Sequence, residues 1–220
     1  MNGLAAGPSP AYNPTNDMGD PETIYRLTDA EYLDLERKAE FKSEFFDGEM
    51  FAMAGGSLSH SLITMNFGGE LRDKLKGRPC VPYNSDLRLK VEPTGLYTYP
   101  DLSVICGPPH FADAEKDTVT NPTLLVEVLS DSTESYDRGA KLRNYVLIPT
   151  VREYLLVSQH EPRIEQYLRQ EDGSWLWREV AGLEATLEIP SLQVSIALAE
   201  IFANVQFVPA PIRAQTPRRA

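Results

Sequence analysis

Apolar and polar positions along the chain fall into short blocks of recognisable period. Leu124-Leu125-Val126-Glu127-Val128-Leu129 is apolar at every position but one and follows an Asn121-Pro122 turn. A Leu/Val run of that length reads as a strand buried on both faces. Ile63, Phe67, Leu71 and Leu75 recur every four residues, which predicts a helix over 57–75 of about five turns, with His60 in its first turn. Thr28 and Glu31 form a capping-box pattern that opens a short earlier helix. The Asp47-Gly48 pair inside Phe41–Met53 predicts a hairpin. Further strands are predicted through 80–91, 99–106, 124–129, 152–158, 163–168 and 175–180. A loop starts at Gly107-Pro108-Pro109, a polar turn after Ser130 leads into a helix ending near Tyr145, and a closing helix spans 196–202. The order αββαβββαβββ describes an α/β or α+β fold, a mixed sheet flanked by helices.

Residues 1–22 are rich in Gly, Pro, Asn and Ala and read as a disordered leader, 23–204 as one folded domain, and 205–220 as a flexible tail. No apolar stretch approaches the roughly 20 residues that span a bilayer, and no secretory signal pattern opens the chain, so no membrane contact and a cytoplasmic location are expected. Cys80 and Cys106 match neither a zinc-ligand spacing nor a multi-disulfide framework, and are expected to be buried free thiols. The net charge of -11 argues against a broad phosphate-binding surface. It leaves room for a local basic rim, for which Arg88, Lys90 and Arg138 are the candidates. Tyr99, Tyr136 and Tyr145 read as packing aromatics.

The candidate chemistry begins with Glu127. A polar group buried without a partner costs on the order of 2–7 kcal/mol, and an ionised one more, so this carboxylate requires compensation. Asp101 opens a second strand-like run, and neighbouring strands lie about 5 Å apart, so the two acids could meet around a divalent cation. Each residue also has a simpler reading. Glu127 could pair with a buried arginine, and Asp101 could accept hydrogen bonds in a turn. Lys141 could be a solvated helix residue, and His60 could satisfy a local hydrogen bond. Glu44 could be a surface strand acid, with Glu49 across the turn as its competitor.

Taken in order, Pro100-Asp101, Glu127-Val128-Leu129 and Lys141 on the following helix resemble the PD-(D/E)XK nuclease superfamily in a form whose lysine has left the strand. Together with Phe45-Phe-Asp47-Gly48-Glu49, His60, Leu125–Thr133, Asp137-Arg138, Glu153–Val157 and Ile201-Phe202, they are similar to the Uma-type restriction endonuclease family over about residues 25–203. The resemblance implies a restriction-endonuclease-like core and Mg²⁺ or Mn²⁺ as cofactor. It implies Asp101, Glu127 and Glu44 as metal ligands, Lys141 as the relocated catalytic lysine, and His60 as a phosphate contact or a support for a ligand. Two departures stand out: Leu129 occupies the place of the motif lysine, and Asn144–Arg152 replaces a glycine-containing turn.

These expectations describe a metal-dependent endonuclease acting on nucleic acid, DNA in the first instance, and able to work as a homodimer. The alternative is a non-catalytic binding or assembly module on the same fold, which the acidic balance favours. A two-carboxylate glycosidase has only Trp175 and Trp177 to suggest a sugar cleft.

Overall fold

A computed structural model describes residues 26–53 and 55–207. The expected leader at 1–22 and the tail beyond 207 lie outside the described residues.

Among the described residues, thirteen strands form three sheets. The first, in the order β2-β1-β5-β4-β7, contains β1 (Ser43–Phe46), β2 (Glu49–Ala52), β4 (Arg88–Val91), β5 (Leu96–Thr98) and β7 (Thr118–Val119). The second, in the order β11-β10-β9-β8-β6-β3, contains β3 (Cys80–Asn84), β6 (Leu102–Cys106), β8 (Leu124–Leu129), β9 (Glu153–Ser158), β10 (Arg163–Arg169) and β11 (Trp175–Ala181). A hairpin of β12 (Thr186–Ile189) and β13 (Val194–Ala197) is the third. The helices are α1 (Asp29–Glu36), α2 (Leu58–Lys74), a composite α3 and α4 (Leu198–Ile201). The composite α3 joins α-helical Glu134–Tyr136, π-helical Asp137–Lys141 and α-helical Leu142–Tyr145. Mixed sheets flanked by few helices make this an α+β fold. No helix among the described residues is long and apolar enough to cross a membrane.

The local signals act as their chemistry requires. Thr28 accepts from the Glu31 backbone while Glu31 reaches back to the Thr28 backbone, closing the capping box of α1. Asp47 and Gly48 both take positive φ in the β1–β2 turn, the conformation a tight hairpin demands. Ser57 caps α2, which buries Ile63, Phe67 and Leu71.

The central strand β8 is buried along its whole length, and its alternation divides the interior in two. Leu124, Val126 and Val128 join the core built on α2, β9, β12–β13 and α4. Leu125 and Leu129 face the other way, into a core shared with β4, β5 and Tyr145 of α3. Side chains alternate with period two in a strand, so Glu127 points to this second side, toward the first sheet.

Several expectations are corrected. The predicted strand over 80–91 is two strands in different sheets, separated by a turn. The predicted closing helix over 196–202 begins as β13, whose residues pair with β12, and only Leu198–Ile201 is helical. Cys80 and Cys106 are not free thiols; they oppose each other across β3 and β6 and are joined as a disulfide. Each cation of the candidate basic rim is engaged within the chain. Arg88 is buried against Asp117, Lys90 pairs with Asp29, and Arg138 pairs with Glu134 and Glu165.

Candidate active site

Antiparallel pairing of β6 with β8 sets Leu102 opposite Val126. One step further, Asp101 therefore falls opposite Glu127. The ladder ends there in side-chain bonds: Asp101 Oδ2 accepts from the Val128 backbone N–H at 2.7 Å, and the Asp101 N–H donates to Glu127 Oε2 at 3.4 Å. The two acids are thus adjacent, Asp101 just before β6 and Glu127 within β8, as the sequence suggests.

Lys141 reaches the same point from α3. Its ammonium lies 3.1 Å from Glu127 Oε1, 3.1 Å from Glu44 Oε1 and 3.3 Å from Asp137 Oδ1. A π-turn spanning Asp137–Lys141 carries two of these groups, with the Leu142 N–H bonded back to the Asp137 carbonyl. Single π-turns inside helices are often found at functional sites. Tyr145, one turn later, donates its hydroxyl to Glu127 Oε1 at 2.8 Å.

Glu44 enters from β1 of the first sheet, where it accepts from Thr98 Oγ1 at 2.5 Å. Glu49, its competitor, is drawn away toward Arg26 at 3.7 Å and belongs to the exposed hairpin. His60, in the first turn of α2, sets Nε2 3.1 Å from Asp101 Oδ2. Gly56 makes space for that ring, since a Cβ there would stand 2.7 Å from His60 Nδ1. Asp101, Glu127, Lys141, Glu44 and His60 therefore all line one cleft, of about 490 Å³.

Two residues read differently from sequence enter the site. In the sequence Asp137 belongs to the Asp137-Arg138 piece of the family resemblance, with no role of its own, and Tyr145 reads as a packing ring. Beyond that resemblance, the available signal for Asp137 is that it shares a helix face with Lys141.

The charges are unbalanced. Glu44, Asp101, Glu127 and Asp137 surround one ammonium and one imidazole. Burial raises the Glu127 carboxyl; Lys141 pulls it back and the Asp137 and Asp101 charges push it up again, so it stays raised. Asp137 is raised chiefly by burial. Burial disfavours the charged Lys141, but Glu127, Glu44 and Asp137 outweigh it and hold the ammonium well above its usual range. Burial likewise acts against protonated His60, and the hydrogen bond and charge of Asp101 more than offset it. Among the described residues no three His, Cys, Asp or Glu side chains form a ready-made metal shell. The adjacent hard-oxygen donors able to hold a cation are Asp101 and Glu127.

With this geometry in place, residues 29–199 match the Uma2 family, described as "Putative restriction endonuclease". The chain belongs to the Uma2 family. Two Synechocystis sp. (strain ATCC 27184 / PCC 6803 / Kazusa) relatives support the assignment. "Uncharacterized protein slr1290" is 39% identical over 184 residues, covering 83% of this chain and 94% of the relative. "Uncharacterized protein sll1609" is 39% identical over 168 residues, covering 76% and 95%. The Uma2 chain also has the fold of a crystal structure from Anabaena variabilis ATCC 29413, described as a putative nuclease belonging to DUF820. The two superpose with a TM-score of 0.65 at 18% identity, covering 80% of this chain and 97% of that one.

Proposed function

We propose that this Uma2 protein is a metal-dependent endonuclease that hydrolyses phosphodiester bonds in DNA. The observation that carries the reading is Glu127, a carboxylate on a fully buried strand that meets Asp101 on one side and the Lys141 ammonium on the other. The donor set fits Mg²⁺ or Mn²⁺. Mg²⁺ is held by one or two carboxylates and keeps several waters, so Asp101 and Glu127 suffice as direct ligands, and Glu44, engaged with Lys141 and Thr98, would act through a ligand water. The excess of carboxylates over cations suits a site that gains positive charge.

Held by Asp101 and Glu127, a divalent cation would supply acidification of a bound water and positive charge opposite the phosphoryl oxygens. The chain's own residues do the rest. Lys141, held charged by its three carboxylates, has no lone pair to take a proton; its part is to position the water and to stabilise the pentacovalent phosphorus by charge. Moving the motif lysine from strand to helix preserves this role, because the ammonium still meets Glu127. His60 uses Nε2 on Asp101, so of its two expected roles the arrangement supports orienting that carboxylate. Ser130, Ser132 and Thr133 line the same cleft and offer hydroxyl donors to phosphate oxygens. A two-fold pair of chains would supply the second centre that a double-strand cut requires.

The test is cleavage of single-stranded circular DNA, or nicking of supercoiled DNA, that requires Mg²⁺ or Mn²⁺ and is lost in Glu127→Ala while the melting transition remains cooperative. Retained cleavage in that variant refutes the assignment.

One observation favours the second reading, a non-catalytic binding module of the same fold. The chain carries -11, and Arg88, Lys90 and Arg138 are all committed to ion pairs. Calorimetry showing no divalent-ion binding, with no cleavage of any nucleic acid, would select it.

A further inference from the structure

The hairpin that delivers Glu44 also delivers two aromatic rings. In the β1–β2 register Glu44 is directly opposite Phe51, and Phe46 is opposite Glu49. Residues two apart on a strand, and directly opposed residues on its partner, share one face of the sheet. Phe46 and Phe51 therefore stand on the face that carries Glu44 into the cleft, and both rings line it. The intervening Phe45 points the other way, stacked on Tyr32 at 4.7 Å between ring centres. Phe45 is core, whereas Phe46 is 39% exposed and Phe51 49% exposed.

Scattered exposed apolar residues need no explanation. Two phenylalanines flanking a candidate catalytic carboxylate in its own cleft do. Ser130, Ser132 and Thr133 line the same cleft, and Arg88, Lys90 and Arg138 are engaged with internal partners. A duplex presents its backbone outward and its bases stacked inward, so a protein gripping duplex relies on many phosphate contacts. An unpaired strand exposes the faces of its bases, and these bind flat aromatic rings irrespective of sequence. The cleft offers rings and hydroxyls in place of a basic track.

We propose that Phe46 and Phe51 are a stacking platform for unpaired bases beside the scissile phosphate, so that the substrate is single-stranded DNA. The inference rests on the phosphodiesterase reading for the meaning of "scissile", and on the hairpin register for the platform itself. A single-strand cutter requires only one active centre.

The test measures binding of a short fluorescent oligo-dT and of a hairpin duplex of equal phosphate count by anisotropy. Both are titrated with Mg²⁺ present in the Glu127→Gln background, which prevents cleavage. Oligo-dT is expected to bind more tightly than the duplex. Phe51→Ala and Phe46→Ala should each weaken oligo-dT binding by roughly 10-fold, the effect of losing one stacked base. Phe51→Trp should retain tight binding and Phe51→Leu should not, which separates ring stacking from general apolar contact. Both positions are exposed, so the melting temperatures should stay near that of the parent. Unchanged oligo-dT affinity in the alanine variants, parent-like binding by Phe51→Leu, or tighter binding of the duplex would each overturn the platform. The two readings fail separately. Aromatic-dependent oligo-dT binding without any metal-dependent cleavage removes the nuclease and keeps the platform. Metal-dependent cleavage of duplex at a rate indifferent to both rings removes the platform and keeps the nuclease.

Discussion

The Lys141 ammonium lies 3.1 Å from Glu127 Oε1, although one group rides on a helix and the other on the central strand. Leu129 sits where the motif would place its lysine, and its side chain is buried in the second core. The ammonium therefore approaches from across the cleft, bracketed by Glu44 and Asp137. Lys141 thus has a structural role as well as a proposed catalytic one.

Replacing Lys141 by Met should leave these carboxylates without their shared cation. Breaking a buried ion pair from one side costs about 3–5 kcal/mol, and denaturant unfolding should report a loss of that order. Adding Glu127→Gln to Lys141→Met should recover part of it, because one uncompensated charge is removed. A double variant no more stable than Lys141→Met would show that Glu127 and Lys141 are not coupled.

Glu127 also sets a pH dependence. Its carboxyl is raised in the fold by burial, with Asp137 and Asp101 adding to the shift, so the folded state holds the proton more tightly than the unfolded chain. The stability this contributes is complete below the unfolded carboxyl range and is lost as pH rises through the raised folded value. Divalent-ion binding should reverse the effect, displacing protons and strengthening as pH rises. Titration calorimetry in two buffers of different ionisation enthalpy should show proton release in the parent and less in Glu127→Gln.

Tyr145→Phe removes only the hydroxyl that donates to Glu127 Oε1. The ring keeps its packing and the carboxylate keeps Lys141, so the expected cost is about 1 kcal/mol. That hydroxyl also holds the Glu127 carboxyl down, and its loss should raise it further. If the protein cleaves as proposed, the acid limb of its pH–rate profile should move to higher pH.

The Cys80–Cys106 disulfide ties the edge strand β3 to β6 across 26 positions of sequence. Cross-links of this kind contribute about 2–4 kcal/mol, so Cys80→Ser or added reductant should lower the melting temperature. Thiol titration of the unfolded, unreduced protein should find no free thiol.

What the sequence made legible was local or strongly patterned. The capping box at Thr28, the Asp47-Gly48 turn and the four-residue spacing of α2 each depend on a few neighbouring residues. Glu127 was conspicuous because an acid within a Leu/Val run has few inexpensive explanations, and Asp101 followed from strand spacing. The misses needed long-range information. The disulfide depends on the register of β3 against β6, which neither strand specifies alone. The apolar run at 196–202 suits a strand or a helix, and its pairing with β12 decides for strand over its first residues. Asp137 and Tyr145 gain their partners only when the π-turn docks α3 against β8. The family resemblance supplied Lys141 and Glu44, which periodicity left as solvated residues.

The alternation of β8 has a final consequence. Leu124, Val126 and Val128 supply the larger core from one side of the strand, and Glu127 is aimed from the other. A shift of one residue in pairing would exchange the two sides, sending the carboxylate into oil and three aliphatic side chains into the cleft. No misaligned yet folded version of the site is therefore accessible through this strand. A chain that folds with this core intact thus presents the acid to the cleft.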